Sequence, residues 1–200
     1  MRREAIEWCD AWMPHMNDHD LPRVLLIGDS IAKGYYSAVE ANLKGRACVA
    51  RVSTSKAIGD PALLSELKVF LAQAQYDVIH FNIGMHGWAY TEVEYRQNFP
   101  ALVKAIRRGA PAAKLIWAST TPIRKDLVEY GATNSRIEAR NLAAREYAAA
   151  HGIPVNDLYA LMLPHADLHS DDVHFNQEGS AMLGGQVARE IAKLLPRKSR

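Results

Sequence analysis

Arg23-Val24-Leu25-Leu26-Ile27-Gly28-Asp29-Ser30-Ile31-Ala32 decides the fold. Leu21-Pro22 announces a strand from Arg23 to Ile27, Gly28 ends it, and a helical pattern runs from Ser30 to Leu43, closed by Lys44-Gly45. A short apolar strand feeding a longer helix is half of a βαβ unit, and the rest of the chain repeats the alternation. The pattern predicts strands at Ala47–Val52, Tyr76–Ile83, Lys114–Thr120 and Ile153–Val155, and helices at Pro61–Gln75, Glu92–Arg108, Asn134 or Ser135 to Ala150, and Asn176–Leu195. Asp60 and Pro61 suit a helix start. Right-handed crossovers then cover both faces of a five-stranded parallel sheet, giving a three-layer αβα sandwich.

The chain has 200 residues, 48% of them hydrophobic and 23% charged, which suits one domain over residues 1–200 able to bury its own core. The formal charge is +2 with acids and bases interleaved, so neither nucleic acid nor an anionic membrane is indicated as a partner. The one basic cluster is the tail Arg197-Lys198-Ser199-Arg200, read as a solvated end. Cys9 and Cys48 show no zinc or paired-thiol spacing, and a cytoplasmic location is expected. Residues 1–20 read as a helical extension, because Glu4, Glu7 and Asp10 interrupt the apolar residues of Met1–Trp12 as in an amphipathic helix and not as in a signal peptide. A homo-oligomer is left open.

Functional groups of such folds gather at the carboxyl ends of the strands. The strands deliver Gly28-Asp29-Ser30, Ser53-Thr54-Ser55, Asn82-Ile83-Gly84-Met85-His86 and Ser119-Thr120-Thr121 to that edge, and the last loop adds Asp171, Asp172 and His174. Ser30 opens a helix whose free N–H groups suit an oxyanion, although a serine there also commonly serves as an N-cap. A nucleophilic serine needs a base, and the base needs a carboxylate to orient it. Asp171 and His174, three residues apart in one turn, supply both.

Gly28-Asp29-Ser30 near the start, a glycine-containing block after the third strand and Asp171-Asp172-Val173-His174 near the end resemble the SGNH/GDSL hydrolases, over about Arg23 to Leu195. The resemblance implies a flavodoxin-like αβα fold and hydrolysis of a small-molecule carboxylic ester without metal or other cofactor. It implies Ser30 as nucleophile, His174 as base and Asp171 as its partner. It also implies oxyanion donors from the Ser30 N–H, from a second-block N–H at Lys56 or Gly59, and from a third-block asparagine amide. Met85 cannot donate, so Asn82 is assigned that role in an Asn-x-Gly-x-His variant of the block, with a loop tie as the alternative.

Asp29, His86 and Trp88 are the candidate substrate-facing residues, His86 either touching substrate or bracing the rim. Tyr35, Tyr36 and Tyr90 either wall a pocket or pack beneath loops. Relatives that deacetylate carbohydrates point to a short acyl ester. Two other classes stand beside the esterase: a metal-dependent hydrolase using His165, Asp167, His169 and their neighbours in the 165–174 loop, and a catalytically silent flavodoxin-like binding module.

Overall fold

In the computed structural model, which describes residues 2–196, one six-stranded sheet organises the chain. The basic tail lies outside the described residues. Strands β1 (Cys9–Trp12), β2 (Arg23–Gly28), β3 (Cys48–Thr54), β4 (Val78–Phe81), β5 (Lys114–Ala118) and β6 (Val155–Asn156) stand in the order β1-β3-β2-β4-β5-β6. The last five are mutually parallel, and β1 is antiparallel to β3. Helices α1 (Ser30–Asn42), α2 (Pro61–Leu71), α3 (Glu92–Gly109), α4 (Asn134–Ala150), α5 (Leu158–Met162) and α6 (Gln177–Leu194) connect them.

Alternation along the strands builds two cores, one on each face. Leu25, Ile27, Ile79, Phe81, Leu115 and Trp117 face the layer holding α2, α3 and α4. Val24, Leu26, Val78, Ile116 and Ala118 face α1 and α6. Near-continuous apolar strands are what burial on both faces requires. Chain order reverses direction at β2, which has β3 on one side and β4 on the other. The crevice beyond the end of β2 is therefore the topological switch point, and Ser30 sits in it. Helix α6 packs closely on α1: a Cβ at Gly184 would fall 2.4 Å from that of Ala38. That approach brings the start of α1 and the loop before α6 to the same rim.

The N-terminal segment departs from expectation. Cys9–Trp12 is an edge strand, in register from Cys9↔Thr54 to Trp12↔Arg51, and no helix precedes it among the described residues. The free edge of β3 offers backbone hydrogen bonds to this segment, and they override its helical periodicity. Some boundaries also shift: α2 stops at Leu71, β4 is confined to Val78–Phe81, and Thr133 caps α4 by accepting from the Arg136 N–H at 3.3 Å. Cys9 and Cys48 are both free thiols. No described helix is long and apolar enough to cross a membrane.

Candidate active site

The turn from β2 to α1 is built by Asp29. Its Oδ1 accepts the Ile31 N–H at 2.9 Å, so Asp29 and not Ser30 caps the helix. This leaves the Ser30 hydroxyl free for other partners, and the Ser30 N–H has no acceptor among the described residues. Asp29 itself is 2% exposed, and its Oδ2 faces a cavity of about 10 Å³ beneath the turn, lined also by Tyr35, Asn82, Thr120 and Thr121. A carboxyl buried in this way lies beneath the Ser30 turn and not on the open rim, where the sequence reading sets it to face substrate.

The loop before α6 is closed by Ser170 N–H to His174 O (2.8 Å) and Asn176 N–H to Leu168 O (2.8 Å). Within it, Asp171 Oδ1 accepts the N–H groups of Val173 and His174, both at 2.7 Å. Its Oδ2 faces His174 Nδ1 at 2.8 Å, and His174 Nε2 faces Ser30 Oγ at 2.8 Å. Partial burial pushes the Asp171 carboxyl up, but the two N–H donors and the imidazole outweigh it and hold the group at about 2. Asp171 is therefore ionised wherever an imidazole is to be oriented. Asp172 points elsewhere, to Arg124 (2.7 Å) and Lys125 (3.1 Å), and moors the loop to the segment after β5.

Asn82 closes β4, but its amide turns into the protein. Nδ2 donates to Ala118 O at 2.6 Å and to Thr120 Oγ1 at 3.2 Å, so both hydrogens are engaged in tying β4 to β5. The expected oxyanion donor is a brace. Gly84 follows because no side chain fits: a Cβ there would lie 1.9 Å from Thr120 Oγ1. In the second block the Lys56 N–H donates to Thr54 Oγ1 at 3.1 Å, and its ammonium pairs with Glu7. Gly59, at φ +107°, turns against the Tyr90 ring and borders a groove with Asp60 and Asn98. The Lys56 N–H, one of the two expected second-block donors, is thus engaged within its own block.

Two features escaped the sequence reading. The first is Arg140 on α4, 1% exposed, whose guanidinium donates to the carbonyls of Gly84, His86, Gly87 and Tyr90 at 2.9–3.1 Å. It also covers the Trp88 ring, with its Cζ 4.1 Å from the centroid. Trp88 thus has one face occupied by a cation, while Tyr35, Tyr36 and Tyr90 are buried and act as packing. The second is the segment Arg2–Trp8, which lies across the rim. Arg2 bonds the Tyr90 hydroxyl, Arg3 bonds Asp60, Glu4 meets His86 and the Gly87 N–H, and Glu7 meets Ser55 and Lys56.

His165, Asp167 and His169 do not converge. His169 has Nδ1 against Ala166 O and Nε2 against Pro122 O, both at 3.2 Å, and its ring tilts on Phe175. Among the described residues no three His, Cys, Asp or Glu side chains are grouped to hold one ion.

Residues 26–182 match the model of the GDSL-like lipase/acylhydrolase family. No curated protein matches. Among solved structures, a lipase/acylhydrolase from Enterococcus faecalis is 22% identical with a TM-score of 0.71, covering 90% of this chain and 100% of that one. The M. smegmatis aryl esterase is 17% identical with a TM-score of 0.74, over 87% of this chain and 100% of that one. An acetyl xylan esterase is 17% identical with a TM-score of 0.66, over 84% and 99%. At these identities the structures attest the fold, whereas the family match, spanning most of the sequence, attests the activity class. The chain belongs to the GDSL-like lipase/acylhydrolase family and is a carboxylic ester hydrolase.

Proposed function

We propose that this esterase removes short acyl groups, acetyl foremost, from a carbohydrate or small-molecule alcohol, with Ser30 as nucleophile, His174 as general base and Asp171 as its orienting partner. The observation that carries the catalytic part is the continuous relay from Ser30 Oγ through both nitrogens of His174 to Asp171. Ser30 Oγ attacks the carbonyl carbon while His174 Nε2 takes its proton, and Asp171 stabilises the imidazolium formed. The Ser30 N–H, at the start of α1, is a donor for the carbonyl oxygen as it gains charge. As the tetrahedral intermediate collapses, the C–O bond to the alcohol breaks and His174 returns the proton to the leaving oxygen. Water, deprotonated by the same base, then splits the acyl-enzyme and restores the Ser30 hydroxyl.

The choice of a short acyl group rests on shape. The side chains of His174 and Asp171 are 45% and 58% exposed, so the relay stands on an open rim. The cavity against Asp29 is only about 10 Å³. The grooves of about 540–690 Å³ lie elsewhere, between α2 and α3 and around His15 to Asp20, with neither Ser30 nor His174 in their walls. An open rim of this kind suits a small acyl group on a bulky alcohol, and the acetyl xylan esterase is a relative with such a substrate in its name. Hydrolysis of acetylated xylo-oligosaccharides measured against p-nitrophenyl esters of two to twelve carbons tests the choice. A steep fall in kcat/KM beyond about four carbons is expected, and a maximum at eight or more would overturn it.

A further inference from the structure

The Ser30 relay leaves the carbonyl oxygen with one identified donor, and two of the expected further donors are engaged elsewhere: the Asn82 amide by Ala118 and Thr120, and the Lys56 N–H by Thr54. One polar atom at the rim has the opposite property. His86 Nε2 is buried and has no partner among the described residues. A buried nitrogen of this kind costs free energy unless something pairs with it. The rest of the residue is fixed on every side. Nδ1 lies 3.0–3.1 Å from both oxygens of Glu4, the next N–H, of Gly87, donates to Glu4 at 3.1 Å, and the His86 carbonyl accepts from Arg140 at 2.9 Å. The edge of Trp8 closes on the ring at a centroid distance of 5.9 Å. Gly87 packs on Ala57 so closely that a Cβ there would fall 2.1 Å from the alanine methyl, which seats His86 against the second-block loop, and the charge of Asp29 in the β2–α1 turn acts on its ring.

We propose that His86 is a catalytic oxyanion donor, presenting Nε2–H to the carbonyl oxygen of the ester that Ser30 attacks, and that Glu4 of the N-terminal segment is its positioning residue. The geometry calls for an imidazolium, because Glu4 takes the Nδ1 hydrogen and Nε2 donates only when it is also protonated. The charges facing the ring favour that form. Burial pushes the His86 pKa down, but the bond and charge of Glu4, with the charges of Asp29 and Glu7, outweigh it and leave the group raised above 6.5. Of the cations on neighbouring elements, Lys56 is paired with Glu7 and Arg140 is engaged by backbone carbonyls. No proton leaves His86 in the reaction; the imidazolium only stabilises charge, while His174 moves the proton.

The proposal rests on the Ser30 reading, so its test uses the full chain with p-nitrophenyl acetate and a fluorophosphonate in parallel. His86→Phe is expected to lower kcat by about 10²-fold with KM changed less than about threefold, and to slow labelling of Ser30 without abolishing it. His86→Gln, which restores a neutral donor, is expected to recover part of that loss. Glu4→Gln is expected to keep most of the turnover near pH 6 and to move the alkaline fall of kcat/KM to lower pH, because without the carboxylate the imidazolium gives up its proton sooner. A folded His86→Phe with near-normal kcat, or an alkaline limb unmoved by Glu4→Gln, would overturn it. Failure of the unmodified protein to label at Ser30 would instead strike the nucleophile assignment.

Discussion

Ser30 Oγ and His174 Nε2 lie 2.8 Å apart although 144 residues separate them in the chain. The contact exists because α1 and α6 pack on the same face of the sheet with their starts at the same rim. Ser30 is the first residue of α1, and His174 precedes the Asn176 cap of α6, whose side chain accepts the Gly179 N–H.

Asp171 and Asp172 are adjacent but should differ sharply on substitution. Asp171→Asn removes the charge behind His174 and is expected to cut kcat by about 10²-fold or more. Asp172→Asn only loosens the exposed pairs with Arg124 and Lys125 and is expected to cost less than about fivefold. Steady-state kinetics on the two variants decides the matter; the reverse order would reassign the relay.

Asn82→Ala separates a brace from a donor. Losing the bonds to Ala118 and Thr120 leaves a buried carbonyl unpaired, a cost of about 1–3 kcal/mol in urea unfolding. With the amide already engaged, kcat should fall less than about tenfold. A drop of about 10²-fold or more in a protein of unchanged stability would restore Asn82 to the oxyanion site.

His80 should make stability sensitive to acid. It is fully buried on β4, with Nε2 accepting from Asn156 Nδ2 at 3.1 Å, and burial pushes its pKa down to about 3. Between pH 6.5 and 3 the unfolded chain binds a proton that the folded chain refuses, so stability falls as pH drops through that window, by up to about 1.4 kcal/mol per unit. His80→Gln keeps an acceptor and cannot titrate. Its loss of stability between pH 7 and 4.5, by urea unfolding, should be about 2 kcal/mol smaller than that of the unchanged protein, and an equal loss would contradict the assignment.

What could be read from the chain was what is local. The strand-to-helix turn at Gly28-Asp29-Ser30 and the one-turn spacing of Asp171 and His174 are near-neighbour patterns, and the five parallel strands announce themselves by apolar runs. Asn82 misled because its place at a strand end is local, whereas the direction of its amide is set by Ala118 at the end of the next strand and Thr120 just beyond it. The acids of Arg2–Trp8 read as a helix face, yet their partners, His86 and Lys56, lie far along the chain. Arg140 left a faint signal: the buried stripe Ile137, Arg140, Asn141, Ala144 and Ala148 keeps helical spacing with a guanidinium in its midst, and a cation there calls for buried acceptors.

The central claim is that Ser30 is the nucleophile of this esterase, and labelling the full chain with a fluorophosphonate followed by peptide mass mapping tests it most directly. A single adduct on Ser30, lost in Ser30→Ala and slowed by prior protonation of the enzyme at acid pH, is the expected result. An adduct on Ser53 or Ser119, or no adduct on an enzyme that hydrolyses esters, would contradict it.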